Sequence, residues 1–336
     1  NIGYIKLPRV YADFNRRGGR SCAVDVAKEI EKLNAKNVNG IILDLRNNGG
    51  GSLRDVVTMS GLFIEEGPIV QVKKRDRKAE VLSDDDASVL YDGPLIVMVN
   101  EFSASASEIL AAALQDYGRA VIVGSNNTFG KGTVQRFFDL DSAIRGNEEV
   151  KPLGEVKLTI QKFYRINGGS TQLKGVTPDI ILPDNFTYIP TGEQDNEYAM
   201  EWTEIPAVDY SQNVYKVDNM ASLRSKSEKR VANNDVFKKV DENAKRLKTQ
   251  RDDTNSTLSI EDYKKEVKML EVEAEKYKDM FKPIDALQVN NLEVDMKEIN
   301  VDEAKQARND DWLESIQKDV YIQEVLNIMK DMKTQQ

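Results

Sequence analysis

A short apolar run leads straight into a serine-rich turn and then into a helical pattern. The run Pro94-Leu-Ile-Val-Met-Val99 has the length of a buried strand, and Ile109-Leu-Ala-Ala-Ala-Leu114 continues as a helix that ends near Gly118. The turn between them is Asn100-Glu-Phe-Ser-Ala-Ser-Ala-Ser-Glu108. A strand, a sharp turn and a helix N-terminus in this order predict an α/β arrangement, and such turns often display a nucleophile.

Strand and helix patterns also alternate elsewhere in the first half of the chain. Residues 2–7 and 38–45 are rich in β-forming residues, and the spacing of the apolar residues between them predicts a helix over 23–33. The remaining predicted elements continue this alternation: a helix over 53–63 and strands over 69–73, 81–83 and 120–124. The pattern is typical of βαβ units and predicts an α/β core.

A glycine-rich turn follows the second predicted strand. Arg46-Asn-Asn-Gly-Gly-Gly51 lies between a strand and a helix, where glycine permits positive φ and lets backbone N–H groups face an anion. The turn matches neither of the common nucleotide-binding patterns, so nucleotide binding is poorly supported. Two interpretations stay open: a turn that holds a phosphate or an oxyanion, and a tight turn without chemistry.

Ser105 differs from its neighbours Ser103 and Ser107 in its relation to the helix. Ser105-Ala-Ser-Glu108 is a capping-box pattern, which places Ser105 at the N-cap and Glu108 at the third helical position. The serine could serve only as a cap, worth about 1 kcal/mol. In the same position it could act as a nucleophile, with the Ala106 N–H and the helix dipole stabilising a developing oxyanion.

The absence of histidine restricts how a serine could be activated. The chain contains no histidine and a single cysteine, Cys22, so neither a Ser-His-Asp triad nor a Cys-His pair can form within it. The remaining bases are a lysine, a carboxylate or the terminal amine. Lys131, between Gly130 and Gly132, is the candidate, although a loop lysine of this kind is usually a solvated surface charge.

Composition argues against several other classes of protein. The net charge of −9 speaks against nucleic acid as a partner, since nucleic-acid-binding surfaces concentrate lysine and arginine. No apolar run approaches the ~18 residues that a membrane span needs, so no transmembrane segment is predicted. The three aspartates at 84–86 lack the spacing of a calcium loop, and we predict neither a metal nor a cofactor.

Three ordered motifs resemble those of the carboxy-terminal processing proteases and, within that family, the tail-specific protease branch. They are Asp44-Leu-Arg-Asn-Asn-Gly-Gly-Gly51, Ser103-Ala-Ser-Ala-Ser-Glu108 and Phe129-Gly-Lys-Gly-Thr-Val-Gln135. With further matches over 161–179, the resemblance covers residues 1–184. It implies an α/β core similar to the crotonase and Clp protease superfold, followed by a helical C-terminal domain.

The same resemblance implies a mechanism. The chain would be a serine endopeptidase with a Ser-Lys dyad, in which Ser105 attacks, Lys131 is the general base and Gln135 orients the lysine amine. The oxyanion hole would use backbone N–H groups at the helix start and in the glycine turn: Ala106, Gly50 and Gly51.

The resemblance also points to two groups of residues for which a structural role is the simpler interpretation. It points to Asp116, but at ~1.5 Å per helical residue this side chain would lie roughly 16 Å from Ser105, so we predict a structural role. Tyr164, Arg165 and the hairpin around 167–169 are candidates for a substrate-side strand, although such a hairpin is more often only part of a sheet.

Proteases of this family carry a PDZ domain that captures the carboxyl terminus of the substrate. The first residues here, Asn1-Ile-Gly-Tyr-Ile-Lys-Leu-Pro8, read as a strand already under way, so we expect an excised piece without that domain. The resemblance implies polypeptide substrates with exposed C-termini and a periplasmic or cell-envelope location. It also implies an adaptor protein or a second copy of the chain as a partner.

Composition changes after about residue 183. We predict a protease core over 1–184, a polar linker over 185–212 and a helical C-terminal domain over 213–336. Apolar residues at 263, 267, 270, 274, 277 and 281 form an amphipathic helix begun by a Ser259 cap, and apolar residues over 312–329 indicate a final helix. We expect the first stripe to pack against its own domain or the core, with a partner surface as the alternative.

Two other functions stay open. One is a catalytically silent module that grips peptides or apolar ligands on the same fold. The other is acyl-CoA chemistry on a crotonase-like fold, which is less favoured because the chain lacks basic features that would hold an adenine nucleotide.

Overall fold

The computed structural model describes residues 1–13, 16, 18–146 and 148–333, so residues 334–336 of the predicted C-terminal domain lie outside the described residues. The strands are β1 (Gly3–Lys6), β2 (Ile41–Asp44), β3 (Gly67–Lys73), β4 (Glu80–Asp84), β5 (Leu95–Val99), β6 (Val121–Gly124), β7 (Thr133–Asp139), β8 (Glu155–Tyr164) and β9 (Ile180–Ile181). The helices are α1 (Cys22–Ala35), α2 (Leu53–Gly61), α3 (Ala106–Asp116), α4 (Met220–Ala232), α5 (Asp235–Asp252), α6 (Ile260–Lys278), α7 (Met296–Ile299), α8 (Glu303–Gln317) and α9 (Val320–Lys333).

The elements predicted for the first 125 residues are confirmed, with their ends shifted by a few positions. Five strands form a parallel sheet in the order β1-β2-β5-β6-β9. Along β2, Ile41 and Leu43 belong to the hydrophobic cluster on one face, and Ile42 belongs to the cluster on the other. Since successive side chains of a strand point to opposite faces, continuously apolar strands fit a sheet that is covered on both sides.

Helices α1, α2 and α3 cover one face of the parallel sheet. Ser21 caps α1, Ser52 caps α2 and Ser105 precedes α3. Buried Asp55 accepts hydrogen bonds from the hydroxyls of both Ser21 and Ser52, the latter at 2.6 Å. This carboxylate therefore joins the N-termini of the two helices that flank the glycine turn.

The C-terminal helices cover the opposite face of the same sheet. Leu223 of α4, Phe237 of α5, and Val325 and Met329 of α9 are buried in one cluster with Ile42 and other sheet residues. The helical region therefore shares a hydrophobic core with the parallel sheet, and the sheet is buried on this side only because those helices are present.

A buried ion pair joins the end of β2 to the start of α9. The Arg46 guanidinium lies 2.6 Å from an Asp44 carboxylate oxygen and 2.8 Å from one of Asp319. The Tyr4 hydroxyl donates to the same Asp44 carboxylate at 2.7 Å. Because these charged groups are largely removed from water, removing any one of them would leave the others buried without a partner and would destabilise the fold.

A second sheet is antiparallel, in the order β4-β3-β8-β7. Its β7–β8 hairpin extends into solvent, so that Phe137 is 60% exposed, whereas Phe163 and Tyr164 at the end of β8 are buried. Strand β7 begins two residues after Lys131, so this sheet continues directly from the loop that carries the candidate base.

The segment predicted as a linker lies against the core. Between 185 and 212 it contains only a short 3₁₀ turn as regular structure, yet its backbone is hydrogen-bonded to the hairpin after β8. The Ile205 N–H donates to the Gly168 carbonyl at 2.9 Å, and the Val208 N–H donates to the Ile166 carbonyl at 3.0 Å. Its polar composition therefore does not prevent it from packing.

The prediction of one final helix over 312–329 is wrong, because α8 ends at Gln317 and α9 begins at Val320. Asp319 lies at the break, and its carboxylate accepts a hydrogen bond from the Tyr321 N–H at 2.9 Å. An aspartate in this position caps a new helix, which the spacing of apolar residues does not reveal.

The predicted Ser259 cap of α6 is confirmed, since the Ser259 side chain accepts from the Asp262 N–H. The apolar stripe of α6 packs only in part: Val267, Leu270 and Tyr277 are half-buried, with Arg246 of α5 over the Tyr277 ring at 5.7 Å, and no side chain of the helix, all of which is among the described residues, is fully buried. On the opposite side of the helix, Met269 and Val272 are 66% and 59% exposed. None of the helices in the described part of the chain is long and apolar enough to cross a membrane.

We expect Phe237→Ala to destabilise the fold by about 3–5 kcal/mol, because Phe237 is 2% exposed and packs edge to face on Tyr321 with ring centroids 5.4 Å apart. Phe137→Ala is the matched control, expected to change the free energy of unfolding by less than about 0.5 kcal/mol. Urea unfolding followed by circular dichroism measures both. Equal losses in the two variants would contradict the shared core.

Candidate active site

Ser105 occupies the sharp turn between β5 and α3. Its backbone has φ 59° and ψ −114°, a region that residues with a side chain rarely adopt. It is half-buried at the N-cap of α3, and Ala106 N–H is at the first helical position, where an N–H has no partner within the helix. A strained residue held in this way by its surroundings is typical of a functional site.

The buried carboxylate of Glu108 holds this turn to the loop that carries Lys131. Its Oε2 accepts from the Ser105 N–H at 2.7 Å and from the Lys131 N–H at 3.0 Å. Its Oε1 accepts from the Thr128 hydroxyl at 2.6 Å and from the Gly130 N–H at 2.7 Å. Since one oxygen contacts both nitrogens, the backbones of Ser105 and Lys131 are separated by no more than the sum of two hydrogen-bond lengths.

Burial raises the pKa of Glu108 to about 7, while the four donated hydrogen bonds oppose the rise. The ionised carboxylate can accept from all four donors at once. A protonated carboxyl would direct its own hydrogen at one of them. The loop and the turn are therefore held most firmly at pH values above about 7.

Lys131 is half-buried, and its amine is directed toward β7. Its Nζ lies 3.4 Å from Gln135 Oε1, the long limit of a hydrogen bond, and no hydrogen bond joins it to Ser105 Oγ in the described part of the chain. Burial lowers the pKa of Lys131 below its ordinary value, and the positive charge of Lys157 lowers it further. The negative charges of Glu193 and Glu108 act in the opposite direction.

The glycine turn lies directly against the serine. Gly50 has φ +91°, and a Cβ there would lie 2.8 Å from Ser105 Cβ and 2.9 Å from Ala106 N, so only glycine fits. The Gly50 N–H donates to Asn48 Oδ1 at 2.9 Å. Gly51 is exposed and runs beside Val10, whose carbonyl would lie 1.8 Å from a Cβ at this position.

The two neighbouring serines have structural partners. Ser103 Oγ donates to the Leu45 carbonyl and Ser107 Oγ donates to the Asn48 carbonyl, each at 2.8 Å. Both serines are fully buried, and both hydrogen bonds attach the serine turn to the glycine turn. Of the three hydroxyls, the one on Ser105 is in the position from which it could react.

Asp116, at the far end of α3, pairs with the hairpin after β8. Its carboxylate lies 2.6 Å from the Arg165 guanidinium and accepts from Asn167 Nδ2 at 2.9 Å. Arg165 is therefore engaged with α3. The structure assigns Asp116 these contacts and brings it into no contact with Lys131.

The sequence indicated Glu108 only as half of a capping box. The contacts with Thr128, Gly130 and Lys131 were missed because they join positions at least 20 residues apart. The available signal was physical: a carboxylate on the apolar, buried side of a helix needs several donors. A loop of glycine, threonine and lysine supplies them.

Comparisons with known proteins agree with the motifs. The family model described as peptidase family S41 matches residues 1–182, and the model described as the C-terminal domain of tail specific protease matches 186–334. The chain belongs to peptidase family S41. Its second half is similar to the C-terminal domain found in the tail-specific branch of that family.

Individual relatives cover less of the molecule. A tail-specific protease of Haemophilus influenzae is 43% identical over 75% of this chain and 35% of its own length. The carboxy-terminal processing protease CtpA of Bacillus subtilis is 33% identical over 59% of this chain and 39% of its own length. The chain thus spans well under half of these curated relatives. A solved structure of the photosystem II D1 C-terminal processing protease is 30% identical over 54% of this chain and 42% of its own, with a TM-score of 0.45.

We expect Glu108→Gln to slow the reaction of Ser105 with a fluorophosphonate by about tenfold or more, because a glutamine NH₂ cannot accept from donors that the carboxylate now satisfies. It should also destabilise the fold by about 1–3 kcal/mol. Labelling rates and thermal unfolding measure the two effects. Glu271→Gln on exposed α6 is the control, and a wild-type labelling rate in Glu108→Gln would remove Glu108 from the site.

Proposed function

We propose that this chain is the catalytic part of a serine endopeptidase in which Ser105 is the nucleophile and Lys131 the general base. The observation that carries the proposal is the Glu108 carboxylate, which contacts the backbone N–H of both residues and so holds them beside one another. Membership of a peptidase family and the absence of histidine from the chain support the same assignment.

Neutral Lys131 would accept the proton of the Ser105 hydroxyl as Oγ attacks a peptide carbonyl. The resulting lysine ammonium would donate that proton to the departing amine as the C–N bond breaks, which leaves an acyl-enzyme. Water activated by the neutral lysine would then hydrolyse the ester and restore the serine. Burial lowers the pKa of Lys131, so a larger fraction of this lysine is neutral and able to accept a proton than of a solvated lysine.

The developing oxyanion would be bound by backbone N–H groups of Ala106 and the glycine turn. Gly50 is adjacent to the Ala106 nitrogen, and its N–H would exchange the Asn48 side chain for the substrate oxygen. The Gly51 N–H is the second choice from the same turn. One such donor typically contributes about 2.7–4 kcal/mol to the transition state.

In this resting arrangement the Lys131 amine lies 3.4 Å from Gln135 Oε1 and, within the described part of the chain, lacks the hydrogen bond to Ser105 Oγ that a reacting base would make. Gln135 would orient the amine while Lys131 turns toward Ser105 Oγ on substrate binding, since catalytic hydrogen bonds often form fully only in the complex. The movement needed is a change of lysine rotamers, because the backbone is already held by Glu108.

We further propose that the substrates are polypeptides with exposed C-terminal tails, in the periplasm or cell envelope. The names of the relatives, tail-specific protease and carboxy-terminal processing protease, support this substrate class. The incompletely covered stripe of α6 is a surface at which an adaptor protein or a second copy of the chain could bind.

We expect Ser105→Ala and Lys131→Ala each to reduce proteolysis by about 10⁴-fold or more while the fold is retained, because each removes a group on which both proton transfer steps depend. Cleavage of an unstructured polypeptide by the full-length protein, with circular dichroism as the check on folding, is the measurement. Exposed Ser88→Ala and Lys78→Ala are the controls. Substantial cleavage by either dyad variant would refute the assignment.

We expect kcat/KM to fall as pH decreases through the pKa of Lys131, because the ammonium cannot accept a proton. Lys157→Ala should move this acid limb to higher pH, since a positive neighbour that lowers the pKa is lost. Glu193→Gln should move it to lower pH for the opposite reason. If the acid limb of the kcat/KM profile is unchanged in both variants, a group other than Lys131 controls it.

A catalytically silent peptide-binding module is the remaining alternative. Mass spectrometry after treatment with a fluorophosphonate separates the two, since only an activated serine forms the covalent adduct. We expect one adduct, on Ser105, that is absent from Ser105→Ala. Binding of peptides without any adduct would favour the silent module.

A further inference from the structure

A cavity of about 250 Å³ lies beside the active-site loop and plays no part in the proposed chemistry. Its walls are Glu101, the 125–129 part of the loop after β6, and residues that follow β9, from Asp184 to Thr191. Among the lining residues, Glu101, Ser125 and Thr128 are buried, whereas Asn126 and Phe186 are exposed. The cavity is therefore a pocket that opens to solvent.

Two carboxyl groups in this pocket, Glu101 and Asp184, lie close enough to hydrogen-bond to each other when one of them carries a proton. Glu101 is 8% exposed, and neither its Oε2 nor Oδ2 of Asp184, both buried atoms, accepts from a donor group in the described part of the chain. A buried acceptor that is left unsatisfied costs about 1–3 kcal/mol, and more if it is charged. Two such carboxyl groups are stable together when they share a proton, and a bound cation would take the place of that proton.

The other walls of the pocket combine apolar side chains with hydroxyl and amide groups. Phe129, Leu173, Phe186, Tyr188 and Ile189 supply the apolar part, and among the described lining residues there is no lysine or arginine. No group of three or more acidic, histidine or cysteine side chains among the described residues is placed to hold a metal ion, and two carboxylates are fewer than calcium sites normally use. A cationic head on an aliphatic stem would satisfy both the acidic end and the apolar walls.

We propose that this pocket binds a guanidinium or primary ammonium group on an aliphatic stem, with Glu101 and Asp184 as its anionic partners. The ligand would be a lysine or arginine side chain of a bound polypeptide, or a free alkylamine of the same chemistry. Both sources present the same cationic group to the two carboxyl groups.

The pocket is connected to the active-site loop through Phe129. The Phe129 N–H donates to the Ser103 carbonyl at 3.0 Å, and its carbonyl accepts from the Glu193 N–H at 2.9 Å. Phe129 is two residues before Lys131, so a ligand that packs on its ring contacts the loop that carries the candidate base. The proposal concerns binding alone and does not depend on Ser105 acting as a nucleophile.

The test is calorimetric titration of the intact chain with n-butylguanidinium, with neutral n-butylurea as the isosteric control. We expect saturable binding of the cation, no binding of the urea, and at least tenfold weaker cation binding in Glu101→Gln and in Asp184→Asn. Glu197→Gln removes an exposed charge from the same region and should bind like the wild type. Because the amide variants remove buried charge, they should fold at least as well, which thermal unfolding checks.

A pair of short peptides that differ only in arginine or citrulline distinguishes the two sources, measured on Ser105→Ala so that no turnover can occur. Preference for the arginine peptide, lost in Glu101→Gln, identifies a polypeptide side chain. Binding of n-butylguanidinium without a preference between the peptides identifies a free amine.

Protonation supplies an independent readout. Burial, then the negative charge of Asp184 and a hydrogen bond with its carboxyl group, raise the pKa of Glu101 to about 7, and the Ser125 hydroxyl opposes the rise. Half-buried Tyr321, with Arg46 over its ring at 5.9 Å, is the neighbour on the C-terminal side. Cation binding should therefore weaken as pH falls below about 7 in the wild type and not in Glu101→Gln.

Three results would overturn the proposal. They are equal binding of n-butylurea, unchanged cation affinity in both amide variants, and tighter binding of Ca²⁺ or Mg²⁺ that displaces n-butylguanidinium. The last result would identify the pocket as a metal site.

Discussion

The contact on which the rest of the site depends is a single buried carboxylate. In the sequence Glu108 is part of a helix-capping pattern. In the structure its two oxygens accept four hydrogen bonds, three of them from the 128–131 loop. A buried charge is stable only when it is fully hydrogen-bonded, so the loop cannot move away without leaving the carboxylate unsatisfied. Because the buried Glu108 carboxylate needs these donors, its hydrogen bonds hold the backbone of Lys131 beside that of Ser105.

The parallel sheet provides the rigid base for this contact. β5 is buried on both faces, by α1–α3 on one side and by the C-terminal helices on the other. The turn that contains Ser105 is therefore anchored at a strand end that cannot shift, and its unusual backbone is maintained by the packing around it. The C-terminal helices contribute to the site in this indirect way, although none of their residues belongs to it.

Buried charged side chains join secondary-structure elements at three places in the molecule. Asp55 joins two helix N-termini, Arg46 joins the sheet to α9, and Glu108 joins the turn to the loop. In each of these three the carboxylate has its partners within the chain. Glu101 and Asp184 differ, since each has a buried oxygen that no donor group of the described residues satisfies, in a pocket whose lining has no lysine or arginine. They therefore indicate a ligand rather than a structural contact.

Local pattern was sufficient for the elements of the first half, for the N-cap position of Ser105 and for the Ser259 cap. It failed where the outcome depended on residues far away in sequence. The break between α8 and α9 is stabilised by Asp319, whose second partner is Arg46. The apolar stripe of α6 has the periodicity of a packed helix, yet it is only half-covered, with Arg246 of α5 over Tyr277. Periodicity reports which side chains share a face, but it does not report what lies opposite that face.

The sequence by itself determined that any reactive serine here would need a base other than histidine and that Ser105 precedes a helix, because these follow from composition and local spacing. Lys131 became the candidate base through the resemblance of its motif to those of the family. Only the tertiary structure decided that the two residues lie together. The physical reason is that a buried carboxylate accepts hydrogen bonds from any donors that lie near it in the fold. Here three of the donors are 20 or more residues away along the chain, and sequence spacing does not predict such contacts.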